Sequence, residues 1–254
     1  MTAPTRAHTI LAAALAVAFL GGPAPDVRSA TAGRGIALVE LYTSEGCSSC
    51  PPADQLLGRI VADAERDHEP VYALELHVDY WDHLGWRDRV SSPAYTARQD
   101  AYAHRFGLAS LYTPQMVVNG ERQFVGSDES AAHAAIRDGL ARTDALPITL
   151  RTRADGPEVV VDCTAPGAPA DAWLEVAWVD ERATSSPDRG ENGGRTLHHV
   201  HVARDLRRVA LDQRHHAGAR LRPPDAGPGR VIAWLEAANG GRVLGAAASG
   251  QLGR

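Results

Sequence analysis

The sequence predicts two successive parts, an α/β domain with the element order βαβαββα and then an all-β, sandwich-like domain. Strand-length apolar runs alternate with helical apolar patterns in the first half, and short strands separated by glycine turns fill the second half. The chain has 254 residues, of which 44% are hydrophobic, enough for two domains with ordinary cores. We expect a leader over 1–32, an α/β domain over 33–145 and a β domain over 146–254.

The pattern of the first part predicts alternating strands and helices. Its last two strands are joined by Asn119-Gly120, a strong hairpin signal. Pro51-Pro52 and Pro93 suit the first turn of a helix, where a missing N–H costs nothing. The order matches a thioredoxin-like core, in which a terminal hairpin and a helix complete the sheet. In chain order the expected elements are strand 36–42, helix 51–64, strand 71–78, helix 93–106, strands 116–118 and 123–125, and helix 127–143.

The second part reads as short strands with turns at Asp155-Gly156 and at 239–241. The segment 182–195 is rich in Ser, Gly, Asn and charge, so we expect a long exposed loop there. The strands are expected over 148–153, 158–163, 173–179, 196–202, 207–211, 231–236 and 243–248.

Charge and composition exclude several classes of protein. The net charge is −5 with no basic block, so a nucleic-acid partner is not expected. All 26 basic residues are Arg, which excludes a mechanism through a Schiff-base lysine.

The N-terminus has the pattern of a secretory signal peptide. Arg6 and His8 precede an apolar run over 10–20, too short to span a bilayer. Ala30-Thr31-Ala32 supplies the A-x-A pattern, so we expect cleavage after Ala32, with an uncleaved anchor as the alternative. The mature chain would then have no stable membrane span and would be secreted or periplasmic, where a disulfide can persist.

Two cysteines three positions apart, Cys47 and Cys50, lie between the first strand and the first helix. A thiolate at a helix N-terminus is stabilised by the helix dipole and by unpaired backbone N–H groups. Cys47 is therefore the expected exposed nucleophile. Cys50, in the first turn, would be more buried and would resolve a mixed disulfide formed on Cys47.

Other readings of the thiol pair stay open. Cys47 and Cys50 could form a zinc half-site completed by His, a structural disulfide, or a copper-capturing dithiol. The remaining cysteine, Cys163, ends an expected strand and is interpreted as a buried free thiol.

The stretch 39–50 resembles the active-site stretch of glutaredoxins and thioredoxins. With the runs 77–82, 85–88, 113–120 and 190–195, the chain looks like the secreted bacterial family DUF1223. The thioredoxin resemblance implies that Pro114 is a cis-proline beside the cysteines and that Thr113 offers its backbone to an extended substrate. A trans proline that only begins a strand is the alternative. The sequence departs from thioredoxins in having Gly46, rather than Trp, before the first cysteine.

A polar and aromatic cluster follows the second strand of the first part. Tyr80, Trp81 and Trp86 are candidates for a substrate-binding lip, because aromatic rings give rigid contact area. Packing against the next helix is the alternative. Metal sites built on His77, Asp79 and His83, or on the histidines at 198, 199, 201, 215 and 216, are further alternatives.

Glu40 stands among apolar residues of the first strand. If buried beneath the cysteines, its carboxylate could move the proton of Cys50, as a carboxylate does in thioredoxins. A position at the sheet edge or surface is the alternative reading.

Together these observations predict an extracytoplasmic thiol-disulfide oxidoreductase that acts on protein or small thiols through Cys47 and Cys50, without a cofactor or metal. The residues leave open whether it reduces, oxidises or isomerises. The rival hypothesis is a non-catalytic module that binds a metal or a client on the same scaffold.

Overall fold

The computed structural model describes residues 26–29, 33–224, 227–238 and 241–253. Most of the expected leader, residues 1–25 and 30–32, lies outside them. The helices are α1 (Pro51–Asp67), α2 (Pro93–Phe106) and α3 (Glu129–Leu140). The strands are β1 (Asp26–Ser29), β2 (Ala37–Thr43), β3 (Val71–His77), β4 (Gln115–Val118), β5 (Arg122–Val125), β6 (Thr149–Asp155), β7 (Glu158–Thr164), β8 (Trp173–Ser185), β9 (Leu197–Ala210), β10 (His216–Leu221), β11 (Gly229–Glu236) and β12 (Val243–Ala248).

One mixed sheet of eight strands, in the order β12-β11-β8-β9-β3-β2-β4-β5, runs through both halves of the chain. The halves meet where β3 pairs in parallel with β9, with Glu75 opposite Val202. The predicted fold class, a thioredoxin-like βαβαββα domain followed by a β-sandwich, is therefore wrong. The chain is mostly sheet, and its second half extends the sheet that its first half begins.

The reason for this error lies in the burial of β8 and β11. A sandwich strand alternates between core and solvent, whereas Leu174–Val179 of β8 and Val231–Glu236 of β11 are buried without interruption. Such strands need cover on both faces. Joining the sheet of the first half, with its helices, provides that cover.

The two faces of the large sheet have different cover. On one face α2 packs through Tyr95 and Tyr102 against residues of β2, β3, β8 and β11. On the other face α1 and α3 cover β2, β3 and β4. A second sheet, in the order β1-β6-β7-β10, covers β8 and β11 on this same face, through Leu150 and Val161 among others. The cysteine-bearing N-terminus of α1 lies at the end of β2.

Smaller features of the second half also differ from expectation. A single strand, β9, replaces the two expected over 196–202 and 207–211. Strand β8 extends to Ser185, so part of the expected loop is strand. Part of the turn expected at 239–241 lies outside the described residues. In the first half, the hairpin at Asn119-Gly120 is confirmed, with φ of 49° at Asn119 and 62° at Gly120.

Strand β1 falls within the expected leader and pairs with β6 from Asp26 to Ser29. Cleavage after Ala32 would remove this edge strand. Within the described residues, no helix is long and apolar enough to cross a membrane.

Candidate functional site

Cys47 and Cys50 form a disulfide at the N-terminus of α1, with their Cα atoms 5.4 Å apart. Cys50 is the N-cap residue, and no side chain caps this end of the helix. The amides of Ala53 and Asp54 donate to the Cys50 carbonyl as α1 begins. The sulfur of Cys47 lies 3.3 Å from Ser49 Oγ. The pair thus faces the positive end of the helix dipole, which stabilises a thiolate.

Both cysteines are fully buried, at 0% exposure, whereas Ser48 and Ser49 between them are exposed. This differs from the exposed Cys47 that the sequence predicts. Residues 187–195, within the connection from β8 to β9, are hydrogen-bonded to the cysteine turn, and we call this segment the cover loop.

Asn192 joins the cover loop to the cysteine turn through two hydrogen bonds. Its side-chain amide is fully buried and donates to the carbonyls of Glu45 and Cys47, 2.9 Å from each. Arg195 donates in turn to Asn192 Oδ1. Glu191, the residue before Asn192, accepts a hydrogen bond from the Ser48 N–H at 2.9 Å, and this bond lowers the pKa of Glu191. Sequence reasoning missed this role, because the Ser-, Gly- and Asn-rich composition reads as solvated loop.

Asn192→Ala should expose Cys47. The change removes two buried hydrogen bonds, each worth about 1 kcal/mol net, so the population of the open loop should rise about 30-fold. Alkylation of Cys47 in the reduced protein should accelerate by a similar factor, measured by mass spectrometry after short labelling times. Arg189→Ala, which changes an exposed residue of the same loop, is the matched control and should leave the rate unchanged. Equal rates in the Asn192→Ala variant and the parent would show that the loop does not limit access.

The expected aromatic residues lie around the cysteine turn. Trp81 donates from Nε1 to Thr113 Oγ1 at 2.9 Å, and its Cβ lies against Gly46. Trp86 donates to the buried Glu45 carboxylate at 2.6 Å. Tyr80 is half-buried and packs against the core on the α2 face. Trp81 thus lies beside Gly46 and Trp86 beside Glu45, both next to the cysteine turn, and Trp81 packs against the same core as Tyr80.

The Thr113–Pro114 peptide bond is cis, as the thioredoxin resemblance implies. Pro114 is buried, and its carbonyl accepts the N–H of Gly126 at 2.9 Å. Gly126 is held between Pro114, Leu41 of β2 and Ala53 of α1. These contacts bring Thr113 and Pro114 to the side of the sheet that carries the cysteines.

Gly126→Ala should destabilise the protein. The added Cβ would lie 2.7 Å from Leu41 Cδ1 and 3.1 Å from Ala53 Cβ. Overpacking of this kind costs about 1–3 kcal/mol, measured as the free energy of unfolding in urea. Gly218→Ala is the control, since its Cβ would meet an ordinary contact at 3.6 Å. A Gly126→Ala variant as stable as the control would contradict the packing described.

Glu40 is buried but lies on the opposite face of the sheet from α1. Its carboxylate binds Arg98 Nε at 2.5 Å and accepts from Tyr102 at 2.7 Å. The structure thus does not bring Glu40 together with Cys50. One of the buried carboxylates on the cysteine side belongs to Asp54, one helical turn after Cys50, and accepts a hydrogen bond from Thr43 Oγ1 at 2.7 Å. Burial and the nearby Glu75 carboxylate raise the pKa of Asp54 to about 7.

The expected metal alternatives are not assembled as sequence reasoning grouped them. His77 is fully buried and pairs with Asp88, His83 is exposed, and Asp79 accepts a hydrogen bond from Thr96. Of the second-half histidines, His199 is buried against Glu75. Cys163 is confirmed as a buried free thiol, and burial raises the pKa of this thiol to about 12.

Comparisons with solved structures place the chain among known folds. The crystal structure of AGR_C_4864 from Agrobacterium tumefaciens has 26% sequence identity and a TM-score of 0.63, covering 86% of this chain and 96% of that one. HBP35 of Porphyromonas gingivalis has 15% identity and a TM-score of 0.59, covering 85% and 75% respectively, and shows likeness of fold alone. The search of curated proteins finds no match. The family model described as "Protein of unknown function (DUF1223)" matches residues 38–233, so the chain belongs to this family.

Proposed function

We propose that this protein catalyses thiol-disulfide exchange on a protein or small-molecule substrate outside the cytoplasm. The observation that carries the proposal is the Cys47–Cys50 disulfide at the uncapped N-terminus of α1. A purely structural disulfide closing so short a loop would stabilise the fold little, whereas this position favours a thiolate.

The reaction proceeds in two exchanges. In the reduced protein the Cys47 thiolate attacks one sulfur of a substrate disulfide, forming a mixed disulfide and releasing the other substrate sulfur as a thiolate. The Cys50 thiolate then attacks the Cys47 sulfur and releases the second substrate sulfur. The substrate gains two electrons and the protein disulfide re-forms. Run in reverse, the same steps oxidise a substrate dithiol.

The residues around the cysteines supply the remaining parts. The positive end of the α1 dipole stabilises the Cys47 thiolate, and Trp81 and Trp86 offer rigid apolar contact to a substrate. Leu84, 52% exposed, lies in the same segment. Because Cys47 is buried and Asn192 is bonded to its carbonyl, we expect the cover loop to move before a substrate sulfur reaches Cys47.

The proposed location rests on the signal-peptide pattern of the first 32 residues, which lie largely outside the described part of the chain. An oxidising compartment also suits a stable disulfide.

The redox equilibrium of the pair against glutathione tests the proposal. The protein is equilibrated at a series of ratios of reduced to oxidised glutathione, and acid-quenched, alkylated samples are weighed by mass spectrometry. Exchange proteins of this kind have potentials between about −270 and −120 mV, and we expect a value in that range. A disulfide that stays intact below about −300 mV, and is reduced only after unfolding, would contradict the function.

A further inference from the structure

A second cluster of chemistry-bearing residues lies below the cysteine turn, on the face of the sheet that α1 covers. Glu75 and His77 are two apart on β3, so their side chains point to the same face. His199 reaches them from the neighbouring strand β9. The side chains of Glu75 and His77 are 0% exposed and that of His199 is 2% exposed.

One atom from each residue can bind a common ion, because these ligand atoms all lie within 4.8 Å of one another. His77 Nε2 lies 3.3 Å from Glu75 Oε1, and His199 Nδ1 lies 2.5 Å from the same oxygen. Ligands of a tetrahedral zinc ion, at bond lengths near 2.0–2.2 Å, are about 3.4 Å apart. The first pair already has this spacing, and the second needs a shift of about 1 Å.

Asp88 fixes the tautomer of His77. Its carboxylate lies 2.6 Å from His77 Nδ1 and also accepts the N–H of Glu45, so Nδ1 is the donor. In a neutral His77 the lone pair of Nε2 then faces Glu75 Oε1, and Nε2 is left without a hydrogen-bond donor despite full burial. His199 Nε2 is likewise buried and without a partner. A lone pair facing a carboxylate oxygen needs a cation between them, and the carboxylate–histidine arrangement is the one that supports metal-bound histidines.

The site also has an approach from outside. His199 lines a cavity of about 430 Å³ that is bounded by Glu45 and Trp86, among others. An ion could enter through it, and its remaining coordination positions could hold water there. A second group of possible ligands consists of Glu65, Glu181 and His201. Its two carboxylates do not need a metal ion as their cation, because Arg230 already pairs with both.

We propose that Glu75, His77 and His199 bind one divalent transition-metal ion of the zinc class. Two imidazoles and one carboxylate form a donor set that suits such ions, and Asp88 orients one of the ligands. This site is independent of the thiol reaction. The competing occupant is a proton, which would make one imidazole a buried cation held by Glu75 and Asp88.

The test uses the full chain with the disulfide intact, so that Cys47 and Cys50 cannot bind the ion. After treatment with EDTA and desalting, the protein is titrated with Zn²⁺ by calorimetry, and bound zinc is counted by mass spectrometry. We expect one ion per chain and a rise in unfolding temperature. His77→Ala or His199→Ala should weaken binding at least about 100-fold, and Asp88→Asn about 10- to 100-fold. His201→Ala, two positions along the same strand, should bind as the parent does.

Nitrogen chemical shifts of the imidazoles in the parent protein keep the test decisive if these variants fail to fold. Zinc should move the shift of His77 Nε2 and one nitrogen of His199 to the values of metal-bound nitrogen, leaving His77 Nδ1 protonated. Absence of stoichiometric zinc, or binding that leaves both histidines unchanged, would overturn the proposal and assign the cation as a proton.

Discussion

Cys50→Ser should accumulate a stable mixed disulfide between Cys47 and glutathione when the reduced variant meets glutathione disulfide. Attack by Cys47 releases one glutathione thiolate, and without Cys50 nothing resolves the adduct. We expect close to one glutathione per chain by mass spectrometry of the intact protein. Cys47→Ser should form less than about a tenth as much, because Cys47 is the proposed attacking thiol and Cys50 the resolving one.

Cys163→Ser is the matched control for this pair of variants. That thiol is buried with its pKa raised to about 12, so its loss should leave disulfide exchange unchanged. Mixed disulfides of equal yield in Cys47→Ser and Cys50→Ser would remove the distinction between attacker and resolver.

Arg98→Met should lower the free energy of unfolding by about 3–5 kcal/mol, since removing one partner of a buried ion pair leaves an uncompensated buried charge. Arg98 is 9% exposed and binds Glu40 at 2.5 Å and Glu236 at 2.8 Å. It therefore joins α2 to β2 of the first half and to β11 of the second. Urea unfolding followed by circular dichroism measures the loss.

Two comparisons sharpen this result. Arg66→Met changes an exposed arginine paired with Asp63 and should leave the free energy of unfolding nearly unchanged. Adding Glu40→Gln to Arg98→Met should recover part of the stability, because it removes the stranded charge. A loss under 1 kcal/mol in Arg98→Met would mean that the carboxylates find other partners.

The local elements of the first half were predictable because their signals are local. Apolar periodicity, Pro51-Pro52 and Asn119-Gly120 each act over a few residues, and the elements that they predict are present. The architecture was not predictable in this way. The parallel pairing of β3 with β9 joins Glu75 to a residue 127 positions later, Val202, and no local pattern marks such a pairing.

The candidate site also combines residues that local sequence patterns predict with residues that distant contacts place. The spacing of Cys47 and Cys50 before a helix was visible in the sequence, and so were the neighbouring tryptophans. The cover provided by Asn192, 145 residues from Cys47, was not visible, because a buried asparagine in a glycine-rich loop has the same composition as an exposed one. The face that Glu40 occupies depends on a strand register, and a shift of one residue reverses it.

Brief alkylation of the reduced, folded protein below pH 8 tests the central claim most directly, namely that Cys47 is the reactive thiol. Peptide mass spectrometry gives the labelling rate of each cysteine. We predict that Cys47 is labelled first, that Cys50 and Cys163 lag behind it, and that Asn192→Ala accelerates only Cys47. Equal labelling of Cys47 and Cys50, or preferential labelling of Cys163, would contradict the assignment of Cys47 as the nucleophile.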